Sequence, residues 1–96
     1  FSAAPNAFSL DAAPNPFNPS TTITFSMPTQ ATPAIEIYSA TGQLVRALSP
    51  GSLPAGSHRL EWDGTDSNSH DVASGVYVVV MKVDDITESV KITLLR

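Results

Sequence analysis

The 96-residue chain has no cysteine, which excludes disulfides, thiol nucleophiles and cysteine-ligated metal sites. Charge is also scarce: only 15% of residues are charged, and the five cations Arg46, Arg59, Lys82, Lys91 and Arg96 are scattered. With a formal net charge of -4 they make no basic stripe to neutralise phosphates, which argues against nucleic acid as a partner. The longest apolar run, Val76 to Met81, is far shorter than the ~20 residues a membrane-spanning helix requires, so no transmembrane segment is expected. An initiator Met and a signal peptide are both missing, and the chain reads as a module from a longer protein. No stretch shows the 3.6-residue apolar period of an amphipathic helix.

What is present points to β structure. The composition is 42% apolar with eight prolines and many Ser, Thr and Val, which suits a globular all-β chain. A chain of this length buries roughly 60 to 65% of its unfolded surface, enough for one domain with one modest core. Residues 1–7 read as a linker remnant and 8–96 as the domain.

Along the chain, Phe8, Leu10 and Ala12 alternate with Ser9 and Asp11 as a short first strand. Three prolines then fall close together in Pro14-Asn15-Pro16-Phe17-Asn18-Pro19. Each presets its own φ and biases the residue before it toward extended geometry, so a stiff corner with Phe17 as an apolar plug is expected. In Thr22–Met27, Ile23, Phe25 and Met27 share the dry face. Ala34–Ala40 buries Ile35 and Ile37, Gly42 supplies the positive φ of a hairpin turn, and 43–48 returns. His58, Leu60 and Trp62 alternate as the next inward set.

Val76–Val83 is apolar on both faces and is expected to be a central strand, with an exposed interaction edge as the alternative. Asp84-Asp85 turns the chain into Thr87–Leu95, where Val90, Ile92 and Leu94 face inward. Seven short strands at intervals of about ten residues predict an Ig-like antiparallel β-sandwich. Its core rests on Trp62, Phe25, Tyr77 and aliphatic side chains.

Candidate chemistry is thin. Many serines accompany only two histidines, His58 and His70, and no Gly-x-Ser-x-Gly elbow surrounds a serine, so no enzymatic activity is expected. The loop holding Asp63, Asp66, Asn68 and Asp71 could offer oxygens to calcium, although its spacing is not that of an EF-hand. The alternative is that these side chains cap turn amides. Aromatic stacking on a sugar would need rings on a wet face; Tyr38 has that placement, whereas the register of Trp62 predicts burial.

Six segments, in order, resemble the C-terminal sorting domains of the type IX (Por-type) secretion system. They are Pro14 to Ile23, Ile37 to Val45, Leu53 to His58, Trp62 to Asp66, Val72 to Tyr77, and Lys91-Ile92-Thr93-Leu94-Leu95-Arg96. The middle box departs from the family pattern, with Ser69-His70 where a glycine usually follows the second Asp. The scaffold is also similar to the Ig-like domain of the flagellar hook-capping protein.

The resemblance implies a secreted, surface-localised sorting module without cofactor. It would be covalently linked to an upstream passenger and recognised by the type IX machinery and the outer-membrane attachment complex. Recognition is then expected at Lys91, Ile92, Leu94, Leu95 and Arg96, and structural roles at Pro14, Pro16, Phe17, Asn18, Pro19, Trp62, Gly75 and Tyr77. A structural Ig-like spacer and a carbohydrate-binding module are the alternatives.

Overall fold

The computed structural model describes residues 9–96. The expected linker at 1–7 and Phe8, the expected start of the first strand, lie outside the described residues. Seven strands form: β1 (Ser9–Ala13), β2 (Thr21–Met27), β3 (Ala34–Ser39), β4 (Leu44–Leu48), β5 (Gly56–Trp62), β6 (Gly75–Val83) and β7 (Ile86–Leu94). Every neighbouring pair is antiparallel. β1, β2 and β5 make one sheet, and a second runs in the order β4-β3-β6-β7, giving an Ig-like sandwich.

Alternation decides which side chains meet between the sheets. Ile23, Phe25 and Met27 of β2 have no exposed surface, and they face Ile37 of β3 and Val79 and Met81 of β6, which have none either. β6 is internal, flanked by β3 and β7, as its apolar sequence predicts. Its outer face is only half covered: Val78 and Val80 are partly buried between neighbouring strands, whereas Val76 retains 38% exposure.

Turn chemistry sets the registers. Gly42, at φ 88°, closes the β3–β4 hairpin, where its amide donates to the Ser39 carbonyl. Asp84, at φ 51°, turns β6 into β7 with Val83 opposite Ile86, the backbone twist favoured by two-residue hairpins. Between β3 and β4 the register slips. Ile37 lies opposite Arg46 but Tyr38 opposite Leu44, so Val45 is the extra residue of a bulge.

Packing of this kind separates the two faces of β6 energetically. Met81→Ala is expected to lower unfolding free energy by about 2–5 kcal/mol, and Val76→Ala by no more than about 0.5 kcal/mol. Urea titration of both variants measures the contrast, and equal losses would contradict the face assignment.

Candidate functional site

The first, middle and last sequence boxes meet at one end of the sandwich. The proline corner is held from both sides: the buried Thr21 hydroxyl donates to the Pro14 carbonyl (2.9 Å), and the corner then lies along the free edge of β7. The Asn15 side-chain amide donates to the Lys91 carbonyl, and its oxygen accepts from the Thr93 amide, each at 2.9 Å. Phe17 continues with its backbone, its amide donating to the Thr93 carbonyl and its carbonyl accepting from the Leu95 amide, again at 2.9 Å. The peptide bonds preceding Pro14, Pro16 and Pro19 are cis.

Phe17 is 1% exposed. Its ring lies 5.6 Å from that of Trp62, which in turn stands 5.4 Å from Tyr77 in an edge-on contact. These offset geometries are the ones that aromatic quadrupoles favour. Both polar tips are satisfied: the Trp62 indole N–H donates to the Thr65 carbonyl, and the Tyr77 hydroxyl to the Ala73 carbonyl. Burial also pushes the Tyr77 phenol above its ordinary pKa.

The loop after Trp62 is folded around its own side chains. The Thr65 hydroxyl donates to the Asp63 carboxylate, and the Arg46 guanidinium donates to the Thr65 hydroxyl oxygen and the Asp66 carbonyl. Asp66 accepts from the amides of Asn68 and His70. The Thr65 bond holds the Asp63 carboxyl below its ordinary pKa, and the two amides, that of His70 foremost, do the same for Asp66. Asp63, Asp66 and Asp71, the weak calcium candidates with Asn68, therefore do separate jobs, because Asp71 turns to Arg96. Among the described residues no three His, Cys, Asp or Glu side chains group as metal ligands.

Within the Ser69-His70 pair that departs from the resembled pattern, Ser69 adopts φ 64°. The turn thus keeps a glycine-like backbone without glycine, with the Ser69 amide donating to the Asp66 carbonyl. Gly64 is needed for contact as well as conformation. At φ 77°, a Cβ there would stand 2.8 Å from Arg96 Nη2 and 3.0 Å from the Pro19 carbonyl oxygen. At this buried glycine all three boxes touch.

Arg96 was expected as a recognition residue, and it is tied down. Its guanidinium donates to the carbonyls of Gly64 and Val72 and pairs with Asp71, while its amide donates to the Ser74 hydroxyl. Ile92 and Leu94 have no exposed surface, so in the folded module they belong to the core rather than to a contact face. Lys91 is exposed and Leu95 retains 52% exposure. Of the remaining structural set, Pro14, Pro16, Asn18 and Pro19 form the exposed back of the corner, and Gly75 opens β6 opposite Leu94.

Two features escaped sequence reasoning. Arg46 is one of the scattered cations of the sequence, and the bulge at Val45 lets it reach the Thr65 loop. Nothing local in the sequence indicates the bond that Asn15 makes across 76 residues.

Residues with other expected roles are placed as follows. The His58 ring bonds the Pro54 carbonyl beside Phe25, and His70 sits exposed in the loop. Trp62, 1% exposed, offers no ring to a sugar. Tyr38 lies on the outer sheet face, its hydroxyl donating to Glu36, and that bond holds the Glu36 carboxyl below its ordinary pKa.

The sequence model of the FlgD Ig-like domain matches residues 12–85. The chain belongs to this family. No curated protein matches the sequence. Among solved structures, PorU of Porphyromonas gingivalis superposes with a TM-score of 0.73 at 20% identity, over 93% of this chain and 9% of that one. PorZ of the same organism, described as an essential bacterial surface component of its type-IX secretion system, gives 0.62 at 23% identity, over 91% and 11%. FlgD of Xanthomonas campestris gives 0.62 at 26% identity, over 88% and 60%. This FlgD-type domain therefore spans less than two thirds of each of these proteins.

Two substitution experiments probe the junction. Phe17→Ala should cost about 3–5 kcal/mol, a large part of the roughly 5–10 kcal/mol that a domain of this size commands; calorimetry showing an unchanged Tm would refute the plug. At the loop, Ser69→Gly should raise stability by about 0.5–1 kcal/mol by relieving the positive φ, and Gly64→Ala should lower it by about 2 kcal/mol or more. Opposite signs in denaturant titration are the expected result.

Proposed function

We propose that this domain is a non-catalytic sorting module that directs a covalently linked passenger through a type IX secretion system to the cell surface. The observation that carries the reading is the junction itself. Six segments resembling the sorting family occur in order, and the first and last of them pair along one strand edge. The fold shared with PorU and PorZ is consistent with it. The machinery and the outer-membrane attachment complex are then the partners, and no cofactor is required.

The surface offered to them comprises Lys91 and Leu95, which flank the pairing of β7 with the corner, together with the exposed back of Pro16, Asn18 and Pro19. A structural Ig-like spacer is the second reading, favoured by the family match and by the likeness to FlgD of Xanthomonas campestris, a protein described in connection with the hook capping essential for flagellar assembly.

The test is to fuse residues 1–96 to a fluorescent passenger carrying an export signal, in a Bacteroidetes host with and without a working type IX system. Surface fluorescence that depends on the system is expected, and periplasmic retention in both hosts would favour the spacer. Lys91→Ala and Leu95→Ala should reduce surface display several-fold without shifting Tm by more than a few degrees. Arg96→Ala is a poorer probe, because it also unties the Gly64–Val72 loop.

A further inference from the structure

β7 is the last strand of its sheet, so its outer row of amides and carbonyls is a template for another strand. The groups that bond Asn15 and Phe17 belong to Lys91, Thr93 and Leu95. By the two-residue alternation of an antiparallel strand, Thr87 and Ser89 present theirs to the same side. Nothing among the described residues pairs with that second half.

A carboxamide carries the same donor and acceptor as a peptide group, and Asn15 places both on β7 as an incoming strand would. It is flanked by Pro14 and Pro16, which have no amide hydrogen and cannot pass the ladder on. Any strand pairing with β7 over its full length would have to displace this side chain.

From this geometry we infer that Asn15 is an edge blocker, and that the partner it keeps off is a second copy of this chain. Every copy carries the same β7 edge, and two such edges can pair antiparallel about a two-fold axis, each strand supplying what the other lacks. Side chains from Ile86 to Ser89 are exposed, and Ile86 at 37% adds apolar surface beside the open half. With Asn15 in place, only that short half is left unpaired among the described residues. Without it, the open edge extends from Thr87 to the Thr93 amide, the Thr93 carbonyl staying with Phe17. This inference is independent of the sorting reading.

The experiment compares wild type with Asn15→Ala by sedimentation velocity over a concentration series and by hydrogen exchange at the Thr93 amide. The wild type should be monomeric with Thr93 protected. At low concentration the variant should exchange Thr93 roughly tenfold faster or more, and at high concentration it should dimerise and recover protection.

Adding Ser89→Pro to Asn15→Ala removes an outward-facing amide and should restore the monomer. Should Asn15→Ala not fold, Asn15→Asp keeps the acceptor for Thr93 but gives the Lys91 carbonyl no donor, and it should self-associate more weakly. A variant that folds and stays monomeric at high concentration would overturn the proposal. So would equal self-association by the wild type, or dimers indifferent to Ser89→Pro.

Discussion

Phe17 holds two structural obligations at once. Its ring fills the end of the core against Trp62, and its backbone amide and carbonyl continue the sheet on β7. Neither could be met by a residue on an ordinary flexible loop, because burying the ring requires the backbone to enter the protein, and a buried backbone must find partners for its polar groups. The prolines on either side make this geometry cheaper in conformational entropy by restricting the unfolded chain. The rest of the junction follows: Pro19 reaches the Gly64 turn, and Arg96 closes over it from the other side.

Polar groups at this end are satisfied locally and in pairs. Trp62, Thr65, Arg46, Asp63 and Asp66 form one connected set, and among the described residues no buried side-chain nitrogen or oxygen lacks a partner. In that set the Asp63 and Asp66 carboxylates hold a hydroxyl and two backbone amides in separate directions, as turn-capping side chains do. The same bonds hold Ser69 at a positive φ. The capped turn over-determines the backbone, and the positive φ is tolerated rather than preferred.

The conjunction of a rigid corner and a paired last strand bears on how such a module can be read by a partner. Inward residues of the last strand, Ile92 and Leu94, keep the sandwich together and are hidden while it is folded. Outward ones, Lys91 and Leu95, are displayed in one fixed geometry because Asn15 and Phe17 hold the strand beneath them. Under the proposed sorting role, what a partner would read is a surface of the folded domain rather than a linear tail.

Strand number, the inward faces of β2, β3 and β6, the Gly42 and Asp84 turns and the burial of Phe17 and Trp62 were all legible in the sequence. Each depends on residue type and a two-residue period, which act over a few neighbours. The pairing of Asn15 with Lys91 and Thr93, the reach of Arg46 across the bulge at Val45, and the meeting of Pro19, Gly64 and Arg96 were not legible. Those contacts join residues far apart in the chain, and their existence depends on which strand edge lies beside which corner once two sheets have packed. Local chemistry sets what each segment can be, whereas the closing of the sandwich decides which segments touch.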